Sequence, residues 1–193
     1  MSNIEMSQKY TKKIFKILVM GDTGVGKTSL IYRTVTGEFP DPTTLKSTIG
    51  AAFFVKRVNV ELENGLFEVV LQLWDFAGQE QFRQLMLRLF KGASGGLFVF
   101  DLTEPISFDD LKKFWVPAVE KELKVDFGKR PDVARNFVLV GNKADLIRER
   151  AINYDEIKTF AQEKNFKYII VSSKTGQNVE RLFEVLAKQL IMP

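Results

Sequence analysis

The chain contains no cysteine and no histidine. Disulfides, zinc sites built on Cys or His, and any triad running through an imidazole are therefore excluded. Chemistry is left to Lys, Asp, Glu, Gln, Ser and Thr, to backbone groups and to a bound ion. No apolar run reaches the roughly 18 to 20 residues that span a bilayer, and the opening "MSNIEMSQKYTKK" is too polar for a secretory signal. An intracellular, soluble protein is expected. An excess of one charge is also nearly missing: 28 Lys and Arg against 24 Asp and Glu leave a net charge of +4. The cations are spread along the chain, with no stacking or groove-reading motif beside them, so nucleic acid is not an expected partner. Hydrophobic residues at 45% and charged residues at 27% match an ordered globular domain, one long enough to bury about 70% of its unfolded surface.

Residues 1–12 read as a polar, flexible lead-in and 13–193 as a single domain. "KIFKILVM" (13–20) is a β-rich run ended by Gly21, and "TSLIYRTVTG" (28–37) reads as a helix stopped near Gly37. The segment "EFPDPTTLKSTIG" (38–50), with two prolines, reads as loop. Two strands joined at Asn64-Gly65 follow it. "GGLFVFDL" (95–102), "NFVLVGNK" (136–143) and "YIIVSSK" (168–174) suit buried parallel strands. Phe108, Leu111, Trp115, Ala118 and Glu122 mark a helix that Pro117 should bend. Val179, Leu182, Phe183, Leu186 and Leu190 give the last helix an apolar face. Strands alternating with helices predict an α/β fold: a three-layer sandwich around a six-stranded, mainly parallel sheet with one antiparallel edge strand. Ligands bind such sheets beyond the carboxyl ends of the strands, so functional residues should follow the apolar runs.

They do. "GDTGVGKTS" (21–29) fits G-x-x-x-x-G-K-[ST]. Its glycines permit a tight loop whose N–H groups, from Thr23, Gly24, Val25 and Gly26 through Lys27, Thr28 and Ser29, cradle phosphate at a helix N-terminus. Lys27 reaches the β- and γ-phosphates and the Thr28 hydroxyl suits Mg²⁺. In "DFAGQE" (75–80), Asp75 is a hard oxygen ligand for Mg²⁺. Gly78 lets an N–H approach a γ-phosphate, and Gln79 can orient an attacking water. In "NKAD" (142–145), a carboxylate at Asp145 can accept from N1–H and the 2-amine of guanine. Adenine offers neither, and the unmet acceptor costs on the order of 10³-fold or more in discrimination. Asn142 is placed to tie this loop to the phosphate loop, and the stem of Lys143 to cover the base. In "SSK" (172–174), the Ser173 N–H can meet guanine O6 and Lys174 can lie along the base. "NKAD" argues against the rival reading of an ATPase or nucleotide kinase.

With these motifs in hand, the chain resembles the small GTPases of the Ras superfamily over residues 13–191. "STIG", "LQLWDFAGQEQF", "FDLTEPISFDDL" and "GNKADL" make it most similar to the Rab-like, membrane-trafficking branch. The resemblance implies a GTP/GDP switch with Mg²⁺ as cofactor. Thr48 would ligate Mg²⁺ and meet the γ-phosphate, Gln79 and the Thr48 carbonyl would hold the water, and Lys27 would stabilise developing charge. It also implies an exchange factor, a GTPase-activating protein and effectors, a monomer, and a cytoplasmic location with a peripheral place at membranes. Hydrolysis should be slow, because no catalytic arginine stands in the motifs. Phe53, Trp74 and Leu89 match a Rab-type hydrophobic partner surface, with burial beneath the switches as the alternative.

Several positions depart from the pattern. Thr23 stands where an incoming arginine would pass, Phe76 replaces a small polar residue, and a long first switch loop obscures Phe39 as a lid over the base. Thr23 and Phe76 leave a non-hydrolysing, GTP-bound scaffold as the alternative function. "KVDFGKRPDVARN" (124–136) reads as a basic, solvated loop, with a partner site as the alternative. The ending "KQLIMP" offers no cysteine for prenylation, so no lipid anchor is evident.

Overall fold

A computed structural model describes residues 10–41, 50–76, 78 and 87–192. Its strands are β1 (Thr11–Met20), β2 (Ala51–Leu62), β3 (Gly65–Phe76), β4 (Gly95–Asp101), β5 (Phe137–Asn142) and β6 (Lys167–Ile170). They form one six-stranded sheet in the order β2-β3-β1-β4-β5-β6. Only β2 runs antiparallel to its neighbour, in the hairpin with β3. The expected architecture is therefore present. Two boundaries differ: β1 starts at Thr11, and the hairpin register pairs Leu62 with Gly65, so the turn residues are Glu63 and Asn64.

The helices are α1 (Lys27–Thr36), α2 (Pro105–Asp110), α3 (Val116–Leu123), α4 (Pro131–Ala134), α5 (Tyr154–Glu163) and α6 (Val179–Ile191). Successive side chains of a strand point to opposite faces, and β1 shows the result. Ile17 and Val19 pack with Leu30 and Ile31 of α1 and Leu182 and Leu186 of α6. Leu18 and Met20 join the opposite core with Phe98, Trp115 and Phe160, beneath α2, α3 and α5. Two apolar layers sandwich the sheet, and all the parallel strands deliver their carboxyl ends to one rim.

The bend expected at Pro117 takes a definite form. Residues Leu111–Trp115 make a π-turn between α2 and α3, and Val116 N–H donates to the Leu111 carbonyl. A wider turn just ahead of proline accommodates a residue that has no N–H of its own to offer. The extra residue shifts the buried stripe. Val116 and Val119 are buried, whereas Glu122 is exposed, against the expected 115/118/122 spacing.

The 124–136 segment is solvated over residues 128–132, as its composition suggests, but it is anchored to the core. Phe127 is fully buried among Phe98, Phe137 and Phe166. Two of its cations are ion-paired locally, Lys129 with Asp126 and Arg130 with Asp132. The aromatic ring anchors the chain, and the two carboxylates offset Lys129 and Arg130.

Candidate functional site

At the end of β1 the backbone reaches Gly21, with φ +141°, where a Cβ would stand 2.0 Å from the Val99 carbonyl oxygen. Only glycine fits between the two strands. The chain then passes exposed Thr23 and Gly24 and buried Val25, and enters α1 through Gly26 in the left-handed region at φ +94°. The N–H groups of the first turn have no acceptor within the helix, and they face the end of the dipole that favours an anion. Lys27 Nζ donates to the Gly21 and Asp22 carbonyls at 2.8 and 2.7 Å. Burial pushes its pKa down to about 8, against the opposing pull of the Asp75 and Asp22 carboxylates. A nearby anion would favour the charged ammonium. Ser29 is buried one residue beyond Thr28.

Asp75, fully buried near the end of β3, meets this helix start. Thr28 Oγ1 donates to Asp75 Oδ2 at 2.6 Å. Hydroxyl and carboxylate oxygen, converging at a phosphate-type loop, are the hard donors that suit Mg²⁺. Gly78 closes the same corner, since a Cβ there would lie 2.1 Å from the Thr23 amide nitrogen. Phe76 is fully buried against Phe90, with ring centroids 5.6 Å apart. Its large ring therefore belongs to the core. Thr48 and Gln79 lie outside the described residues.

The base end is built by β5 and β6. Asn142, at the end of β5 and buried, donates from Nδ2 to the Val25 carbonyl at 2.9 Å. Its Oδ1 accepts from the Ser173 N–H at 3.1 Å and from Ser173 Oγ at 3.0 Å. The Ser173 N–H is thus engaged by Asn142, so a base carbonyl would share that donor or take the next amide, Lys174. Ser172 Oγ donates to Asp145 Oδ1 at 2.5 Å and accepts from the Thr175 N–H at 3.1 Å. That orients the half-buried carboxylate. Lys143 takes a left-handed φ of 64° and its Nζ meets Asp101 Oδ2 at 2.5 Å. Lys174 is exposed.

Three residues of this rim are given no role by the motif reading. Asp101 ends β4 and fixes Lys143, and the rule that site residues follow strands would have found it. Trp115 Nε1 donates to Asp22 Oδ1 at 3.0 Å. The indole belongs to the core stripe, yet a buried Trp N–H needs an acceptor, and here the phosphate loop supplies it. Arg33, on α1, reaches the "SSK" loop, which no sequence spacing reveals.

On the far side of β3, Phe53 is 51% exposed and stands edge-on to Trp74 at 5.5 Å. The burial alternative for this ring is therefore set aside. Lys16 Nζ sits 4.8 Å from the Trp74 ring centroid and donates to the Leu89 and Lys91 carbonyls at 2.5 and 2.9 Å. It ties the half-buried Leu89 backbone to the sheet beside the two rings.

Residues 16–192 match the model of the Ras family. The chain belongs to the Ras family. Among curated relatives, it is 37% identical to Ras-related protein Rab-1 of Theileria parva, over 92% of this chain and 74% of that protein. It is 39% identical to Ras-related protein Rab-27B of Bos taurus, over 90% and 78% respectively. With the GTP-binding protein ypt3 of Schizosaccharomyces pombe it shares 36% identity, over 92% and 76%. This Ras-family protein is accordingly a Rab-like GTP-binding switch and a GTPase.

Proposed function

We propose that residues 13–193 form a single G domain that holds GTP or GDP across this rim. The observation that carries this reading is Asn142. One side chain joins the phosphate loop at Val25 to the base loop at Ser173, so both ends of a guanine nucleotide face a single braced surface. Thr23 to Ser29 supply phosphate donors, with Gly78 beside them. Asp145 takes the N1–H and 2-amine of guanine, an amide of Ser173 or Lys174 takes O6, and Lys143 flanks the base.

The Thr28–Asp75 pair fits Mg²⁺, with Thr48 as the third protein group. When bound, the ion neutralises charge on the β- and γ-phosphates. In the hydrolytic step Lys27, buried and cationic, draws the charge developing on the leaving phosphate. Gln79 and the Thr48 carbonyl orient water in line with the bond that breaks. Little covalent chemistry is asked of the chain, and no arginine stands within "GDTGVGKTS", "DFAGQE", "NKAD" or "SSK". A partner supplying one in trans would add about 10³ to 10⁵ in rate.

Exchange factor, activating protein and effectors are the partner classes that Rab-like membership supports, with Phe53, Trp74 and Leu89 as the surface they would meet. Among the described residues no helix is long and apolar enough to cross a membrane. A cytoplasmic monomer acting peripherally at membranes is the reading that Rab-like membership supports. Denaturing the purified protein and identifying the released nucleotide by chromatography tests the reading, followed by conversion of GTP to GDP over time. Release of no guanosine compound, with no melting shift on adding GDP and magnesium, would end it.

A further inference from the structure

We infer that Arg33 is a specificity-positioning residue, which sets the loop bordering guanine O6 from the helix that carries the phosphate loop. The inference rests on the nucleotide reading above. Arg33 Nε donates to the Ser173 carbonyl at 2.9 Å, and Nη2 donates to the Lys174 carbonyl. Nη1 donates to the Gly37 carbonyl at 2.6 Å, the residue that ends α1 in the left-handed region. Three carbonyls on two segments are thus gathered by one planar fork, whose five donors are fixed relative to one another. A Cβ built on Gly176 would lie 4.0 Å from Arg33 Cδ, Nε and Cζ, so the side chain passes near the turn that follows "SSK".

Ser173 is gripped from both sides. Asn142 Oδ1 holds its N–H and hydroxyl, while Arg33 holds its carbonyl. Asn142 in turn holds Val25, and Val25 precedes the helix on which Arg33 lies. A closed circuit results: phosphate loop, Asn142, Ser173, Arg33 and back to α1. The peptide between Ser173 and Lys174 has its carbonyl fixed by Arg33. Peptide planarity then fixes the direction of the Lys174 N–H on the other end of the same unit. An amide aimed at O6 is therefore aimed by Arg33, which itself touches no part of the base.

The experiment is a cycle between protein and ligand. Affinities of the purified chain and of Arg33→Met are measured with magnesium for GDP and for 6-thio-GDP, whose sulfur is a poorer acceptor than O6. The unaltered chain should prefer GDP, and Arg33→Met should bind GDP about tenfold more weakly. The preference for GDP over 6-thio-GDP should shrink towards unity in the variant, because the amide no longer points at that atom. A general loss of structure would weaken both ligands equally and leave the preference unchanged, and that result overturns the inference. So would an unaltered chain that binds GDP but does not discriminate between the two. If Arg33→Met does not fold, Arg33→Lys decides. It keeps the charge and loses the fork, and an undiminished preference there is equally fatal. An unaltered chain that binds no GDP would instead remove the nucleotide reading itself.

Discussion

A Cβ placed on Gly26 would stand 2.3 Å from Nδ2 of Asn142, the atom that holds the Val25 carbonyl. The glycine is thus required twice, for its positive φ and for the space it leaves. Gly24 has positive φ too, but a Cβ there meets nothing within 4 Å. The two positions separate strain from displacement. Gly24→Ala should cost only the left-handed backbone term, about 1–2 kcal/mol, which reaches GDP affinity as at most roughly tenfold, where the free loop relaxes and binding restores that conformation. Gly26→Ala should lose at least about a further tenfold, because Asn142 must also let go of the phosphate loop. Equal losses in a GDP titration of the two variants would show that the Asn142 link does not matter.

Asp145 is oriented by the Ser172 hydroxyl at 2.5 Å. Asp145→Asn replaces an acceptor pair with one acceptor and one donor. GDP should bind about 10³-fold more weakly, and xanthosine diphosphate, with a carbonyl where guanine has its amine, should bind better than it does to the original chain. A competition assay between the two nucleotides reads both changes. Retained GDP preference would place the base elsewhere.

Gln79→Leu should slow single-turnover GTP hydrolysis by at least about tenfold while leaving GTP affinity nearly intact. A residue that only orients water contributes to the transition state and little to ground-state binding. Unchanged turnover would remove Gln79 from the mechanism.

Much of the fold was legible because its signals are local. Short apolar runs between turn residues mark buried strands, and the ends of those runs mark the rim, which is how "GDTGVGKT", "DFAGQE", "NKAD" and "SSK" could be ordered around one site. The remaining features arise from contacts between distant segments. Phe127 looks like a lone ring in a basic stretch, and only the packing of Phe98, Phe137 and Phe166 makes it core. The register shift before Pro117 depends on a π-turn that a 3.6-residue period does not contain. Arg33 and Ser173 are 140 positions apart, and Trp115 and Asp22 are 93 apart. No spacing rule within one element can connect them.

Lys27 makes pH an independent probe of the phosphate loop. Its ammonium has a pKa pushed from 10.5 down to about 8, chiefly by burial. Below pH 8 both the folded and unfolded chains hold this proton, and the nucleotide-free fold bears the full cost of a buried cation, about 3 kcal/mol. Between pH 8 and 10.5 the unfolded chain binds more protons at this site than the folded one, so stability without nucleotide should rise with pH across that window. GDP binding should respond in the opposite direction. Phosphate oxygens beside Nζ raise its pKa in the complex, so binding takes up a proton once the free chain has begun to lose it. Affinity should be flat with respect to this group below pH 8, then weaken by up to about tenfold per pH unit above it. Urea denaturation of the nucleotide-free chain and of Lys27→Met, at about pH 7.5 and about pH 9, reads the first slope, which the variant should lack. Calorimetry of GDP binding at about pH 8.5, in two buffers of different ionisation enthalpy, reads the proton taken up. Zero uptake would mean that Lys27 keeps its charge without phosphate, and that the loop's carbonyls at 2.8 and 2.7 Å suffice to hold it.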